Sequence, residues 1–171
     1  MKKSKMALRH SLCSVTILAC LAAVPAQAAE VLREQTIWTI GGLTMAERYE
    51  LFARRPVTAD DIAILKRADE ILSSEAAWNH ADARKCRRPA SSWSLFCALK
   101  EASIEVTGKW DNRRVVMEEL RFVIIEVTGL DNKRPNVHPL MIYNNLPMTR
   151  FEDIKKVLRI ASERLAARIA R

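Results

Sequence analysis

The sequence predicts an all-α fold: a small bundle of about five helices closed by one intramolecular disulfide. Three observations carry this. Helix-start signals stand at three places, each followed by apolar residues at helical spacing. Glycines stand where two middle helices need to stop. Two cysteines, Cys86 and Cys97, remain once an N-terminal targeting segment is set aside.

That segment is residues 1–28. Lys2, Lys3, Lys5 and Arg9 form a positive head, Ser11 to Val24 is an uncharged apolar run, and Ala26-Gln27-Ala28 is a small-x-small site. This is the layout of a secretory signal peptide, and the apolar run is short of the ~20 residues a membrane span needs. Cleavage is expected after Ala28. Ile17-Leu18-Ala19-Cys20 offers a lesser alternative, a lipoprotein anchored at Cys20. Both readings export the protein, so a periplasmic or secreted location is expected. Removing 28 of the 171 residues leaves 143, enough for one domain with a core. Four of the 28 basic residues and none of the 20 acidic ones leave with the signal, so a net +8 becomes +4. A balance that mild gives no reason to expect nucleic acid. Cys13 and Cys20 also leave, and an even pair in an oxidising compartment is expected to form a disulfide, Cys86–Cys97.

Residues 29–43 lack a period, and Gly41-Gly42 breaks the chain near their end. They read as an N-terminal arm, with Ile37, Trp38 and Ile40 as its packing residues. The helical domain is expected over 44–171. Thr44-Met45-Ala46-Glu47 is a capping box that opens a short helix to about Arg54, ended by Pro56. Thr58-Ala59-Asp60-Asp61 opens a second, with acidic residues where the helix dipole favours them. Ile62, Leu65, Ala68, Ile71 and Leu72 carry it to about Ala77. Asn79 to Ser92 is polar and reads as a loop. Ser91 or Ser92 caps a third helix through Trp93, Phe96, Cys97, Leu99 and Ile104, stopped by Gly108.

The fourth helix is expected from Arg113 to Thr128, stopped by Gly129. Val116, Leu120, Val123 and Val127 form its stripe, with Met117 and Ile124 beside it, which places it centrally. A strand over Phe122–Val127 is the alternative, because the segment is rich in β-branched residues. Ile104-Glu105-Val106-Thr107-Gly108 recurs as Ile125-Glu126-Val127-Thr128-Gly129, which reads as two helix ends using the same stop chemistry. Leu130 to Met148 carries Pro135, Pro139 and Pro147 and reads as a long irregular stretch. Thr149-Arg150-Phe151-Glu152 then opens the last helix, whose face is Phe151, Ile154, Val157, Leu158, Ala161, Leu165 and Ile169.

Catalytic patterns are absent from the sequence: there is no phosphate loop, no His-Glu-x-x-His and no Gly-x-Ser-x-Gly. A Cys97–His138 nucleophile and base is outweighed by the disulfide. Glu101 with Glu105, and Glu119 with Glu126, share helix faces. Paired carboxylates can hydrolyse sugars, but on a helix they more often form a solvated face, with ion pairs such as Arg114 to Glu118. The basic residues of the last helix, from Arg150 to Arg171, suggest an anionic membrane surface. More often such a helix docks its apolar face in the bundle and leaves its charges in water, and membrane contact is not expected once the signal is gone. No cofactor and no metal are expected, since His80 and His138 show no ligand spacing. Candidate binding residues are His138, Tyr143, Asn144 and Asn145, on the loop that leads into the last helix.

Two groups of residues carry a resemblance. Ile64-Leu65-Lys66-Arg67-Ala68-Asp69-Glu70-Ile71-Leu72 is followed by Phe96-Cys97-Ala98-Leu99. Tyr143-Asn144-Asn145 to Thr149 is followed by Val157-Leu158-Arg159-Ile160-Ala161. Together they resemble an uncharacterised family of small bacterial helical domains. Its members have an Ala-x-x-Leu helix, a Cys heading a middle helix, and Trp-Asn-Asp…Pro-x-x-Thr before the last helix. Here Tyr143 replaces the Trp and Asn145 the Asp, which removes a carboxylate. The resemblance implies a helical domain and no particular activity. The expected function is a non-catalytic binding or interaction protein of the bacterial envelope, with an envelope or extracellular protein as partner. An envelope hydrolase using Glu carboxylates is the alternative.

Overall fold

The computed structural model describes residues 42–129 and 138–170. The expected signal segment, nearly all of the expected arm and residues 130–137 lie outside them. Among the described residues the fold is all-α: α1 Met45–Ala53, α2 Ala59–Ile71, α3 Leu95–Thr107, α4 Val115–Thr128, α5 Pro139–Asn145 and α6 Phe151–Ile169, with a 3-10 turn at Glu75–Ala77. That is one helix more than expected.

The start signals act as read for α1 and α2. Thr44 Oγ1 accepts from the Glu47 amide at 3.3 Å, and Glu47 Oε2 accepts from the Thr44 amide at 2.7 Å. Asp61 Oδ2 accepts from the Thr58 amide at 2.9 Å. Buried Asp61 also meets Arg114 Nε at 3.4 Å, tying the head of α4 to that of α2. The expected Arg114–Glu118 pair is therefore not formed. Glu118 pairs with Arg121 instead, 3.0 Å away and equally buried.

Helix α2 stops at Ile71 rather than near Ala77. Lys155 of α6 donates to the carbonyls of Asp69 and Leu72, so the last turn has its partners without continuing. The chain then runs to an isolated bridge: the Trp93 amide donates to Ala77 O at 2.8 Å, and the Asn79 amide to Trp93 O at 2.9 Å. Trp93 is thereby held extended, outside α3. The cap falls on Ser94, whose Oγ accepts from the Cys97 amide, and not on Ser91 or Ser92.

Gly108 and Gly129 end α3 and α4 at φ +74° and +64°, a region costly for a side chain. Helix α4 is continuous, which overturns the strand alternative over 122–127. Val116, Met117, Leu120, Val123 and Ile124 are fully buried among its neighbours, and packing outweighs the β-branched preference. Val127 departs from its expected stripe and is 40% exposed.

The stretch from Leu130 to Met148 is not irregular throughout. Pro139 opens α5, since its fixed φ and missing N–H suit a first turn. On α6, Ile154, Val157, Leu158, Ala161 and Leu165 are buried as expected, whereas Ile169 is half exposed. Asp153, not Glu152, accepts from the first free amide, that of Arg150. Thr149 is not the cap: its hydroxyl donates to Tyr143 O at 2.7 Å.

Cys86 and Cys97 form a disulfide with Cα atoms 5.3 Å apart, linking the 79–94 loop to the first turn of α3. Closing a loop of 11 residues stabilises by about 3 kcal/mol in the chain-entropy model. The double substitution Cys86→Ala, Cys97→Ala is expected to lower the Tm by about 10 °C, read by circular dichroism. An unchanged Tm would show that hydrogen bonds alone hold the loop.

Candidate functional site

Helix α5 brings the four candidate residues to one joint, where three of them are turned inward. Asn144 is fully buried. Its Oδ1 accepts from Trp78 Nε1 at 2.8 Å and from the Leu95 amide at 3.0 Å. Its Nδ2 donates to Asn79 O at 3.0 Å and to Asn145 Oδ1 at 3.2 Å. Two acceptor sites and two protons are thus all used. Asn145 pairs with the backbone of Asp82 as a strand neighbour would. Oδ1 accepts from the Asp82 amide at 2.7 Å and Nδ2 donates to its carbonyl at 2.9 Å. His80 Nε2 lies 3.0 Å from Leu146 O, and the Trp78 ring packs on His80 and Phe151. The two asparagines therefore pin the 79–94 loop to α5.

Tyr143 is buried, and its hydroxyl donates to Asp153 O at 3.1 Å. Burial, with Asp153 adding to it, pushes the phenol up to about 12, so it stays a neutral donor. His138 sits at the head of α5 with Nε2 3.4 Å from Arg121. Burial pushes its imidazole down to about 3, helped by the charges of Arg121 and Arg84. Arg121 is in turn held by Glu118 and by the carbonyl of Asn112 at 3.1 Å.

The carboxylates considered for hydrolysis are all engaged by arginines. Glu101 pairs with Arg88 and Glu105 with Arg67. Glu126 takes Arg164 at 2.8 Å, and buried Glu119 takes Arg168 at 3.3 Å. Cys97 is in the disulfide and is no nucleophile. Lys155 pairs with Asp69, and Arg159 with Glu163, so much of the positive face of α6 is neutralised within the fold. No described helix is long and apolar enough to cross a membrane.

What the joint offers to the outside is a hollow of about 550 Å³ between the end of α4, the α5–α6 turn and α6. Val127, Leu146 and Met148 line it, with Tyr143 as a wall and Asp153 and Lys156 at the polar edge. Met148 is 77% exposed and Val127 40%. Neither was singled out from sequence: Val127 fell on a core stripe and Met148 inside a presumed loop. No family model matches the chain, and no curated protein or solved structure matches it significantly.

Proposed function

We propose that this protein is a non-catalytic binding protein of the bacterial envelope, exported by residues 1–28, which holds an apolar side chain of a partner protein in the Val127–Met148 hollow. The observation that carries this is the exposure of Met148 and Val127 at the mouth of one apolar concavity. Exposed apolar residues gathered at a polar-edged hollow mark recognition surfaces, and methionine adapts its shape to what it meets. Asn144 and Asn145 serve that surface indirectly, by holding the frame on which it sits. The disulfide suits the oxidising compartment to which the signal sequence leads. The arginine pairing of Glu101, Glu105, Glu119 and Glu126 speaks against the hydrolase alternative.

The test is site-directed cross-linking in the periplasm from position 148, followed by affinity measurement with the captured partner. Met148→Glu and Val127→Glu are each expected to weaken binding at least about tenfold, a loss of about 1.4 kcal/mol, with Tm unchanged. Unaltered affinity in both variants would refute the assignment. Turnover of purified cell wall by the mature protein would restore the hydrolase reading.

A further inference from the structure

The arm of residues 29–41 joins the domain at the start of α1, so the course of α1 decides where that arm leaves the surface. Just past α1, Arg55 Nη2 donates to the carbonyl of Arg113 at 2.6 Å, immediately before α4. Within α1, Phe52 and Tyr49 both pack on Phe122, with ring centroids 5.1 and 5.2 Å apart. Moving back from Arg55 to Tyr49 thus advances from the head of α4 to its middle, and the two helices are antiparallel. Met45 lies about 6 Å along the axis before Tyr49, and Val127 about 7.5 Å beyond Phe122. The start of α1, held by Met45 against the core, therefore points to the end of α4, where Val127 and Thr128 line the hollow of about 550 Å³. Helix α6 follows the same line. Arg168 lies over the Phe52 ring at 4.3 Å, Arg164 reaches Glu126 at 2.8 Å, and Lys156, two turns earlier, stands at the edge of the hollow. The larger concavity lies on the α2 side of α6, lined by Ile62, Leu65 and Phe151, whereas α1 packs on α4.

We propose that the arm lies back along the seam of α4 and α6 and seats Trp38 in this hollow, so that the protein holds its own tryptophan there until a partner displaces it. The displacement rests on the binding reading above; the docking does not. Reach, chemistry and tethering select this occupant. Trp38 stands seven positions before Met45, a span of up to about 24 Å, which covers the distance without disturbing α1. Ile37-Trp38-Thr39-Ile40 is the densest apolar run of residues 29–41. Its indole is the bulkiest apolar group there, and its single N–H suits a hollow with a polar edge. The Met148 thioether favours an aromatic partner, and the Lys156 ammonium suits the face of an indole. A short tether also raises the local concentration of the arm, so modest contacts suffice to keep it in place. An arm held in this way makes the hollow selective, because only a partner that outcompetes Trp38 enters it.

NMR on the full exported protein, labelled at the methionine methyl groups, tests this without any partner. The Met148 methyl resonance is assigned through Met148→Leu. Nuclear Overhauser contacts are expected from the Trp38 indole protons to the Met148 and Val127 methyl groups. Trp38→Ala is expected to abolish them and to move the Met148 resonance, while that of fully buried Met117 stays in place. With the partner cross-linked from position 148, Trp38→Ala is expected to raise affinity at least about threefold, because the hollow is then open in every molecule. A Met148 resonance unmoved by Trp38→Ala, contacts from residues 130–137 in place of Trp38, or contacts that appear only at high protein concentration, as a second copy would give, would each overturn the docking. An affinity unmoved by Trp38→Ala would overturn the displacement. The two readings fail separately. Absent Trp38 contacts, with Met148→Glu still weakening the partner, would overturn this inference alone. Trp38 contacts present, with partner affinity indifferent to Met148→Glu and Val127→Glu, would overturn the binding reading and leave the docking.

Discussion

Asn144→Ala is expected to destabilise the protein by about 3–5 kcal/mol, without any ligand present. The substitution strips partners from three groups at once: the buried Leu95 amide and the part-buried Trp78 Nε1 and Asn79 carbonyl. An orphaned buried group costs about 1–3 kcal/mol and a part-buried one less, and the bonds of one network do not fail independently. The Leu95 amide is among the first donors of α3, which no earlier helical carbonyl can reach. Asn144→Asp gives a sharper contrast. It keeps the acceptor facing Leu95 and Trp78, but turns a donor into an acceptor opposite Asn79 O, so a loss of about 2 kcal/mol or more is expected. Urea unfolding followed by tryptophan fluorescence reads both. A change below about 1 kcal/mol for the alanine variant would mean that the network is replaceable by water, and would reopen a direct binding role for Asn144.

The residues legible from sequence are those whose structural reasons are local. Thr44 with Glu47, and Thr58 with Asp61, find their partners three positions on. Gly108 and Gly129 stop helices by their own backbone freedom. The α6 stripe repeats at a period that no distant residue needs to supply. The disulfide is legible because only two cysteines follow the expected signal segment. The failures share the opposite trait. Ser94 outranks Ser91 and Ser92 as cap because Trp93 is held by Ala77 and Asn79, through a bridge that sequence does not announce. Helix α2 ends early because a lysine more than 80 positions away reaches its carbonyls. Asn144 and Asn145 are candidate binding residues by type alone, and the partners that tie them to the 78–95 segment lie from 49 to 66 positions away. Pro139 counts by composition toward an irregular stretch, whereas its position starts α5. Val127 and Met148 carry no pattern of their own; their exposure exists only once the chain has folded.

Acid is expected to weaken the fold through His138 well before the carboxylates titrate. The native imidazole, pushed down to about 3 by burial and by Arg121 and Arg84, stays neutral at pH 5, whereas the unfolded chain takes up a proton near 6.5. A group whose folded pKa is depressed contributes stability above the unfolded pKa and loses it as pH falls toward the folded one. At about 1.4 kcal/mol per pH unit, lowering pH from 7 to 5 should remove about 2 kcal/mol. Arg121 cannot move aside at little cost, because buried Glu118 and the Asn112 carbonyl hold it against the ring. Glu119 acts in the opposite sense. Burial raises its carboxyl against the pull of Arg168 and Arg164, so acidification through the range above 4.5 favours the fold at that position. His138→Gln separates the two, because it keeps a polar side chain at the head of α5 and removes the titration. Unfolding free energies at pH 7 and pH 5 should fall in the parent and stay level or rise slightly in the variant. An equal loss in both would place the acid sensitivity elsewhere and leave His138 a spectator of the fold.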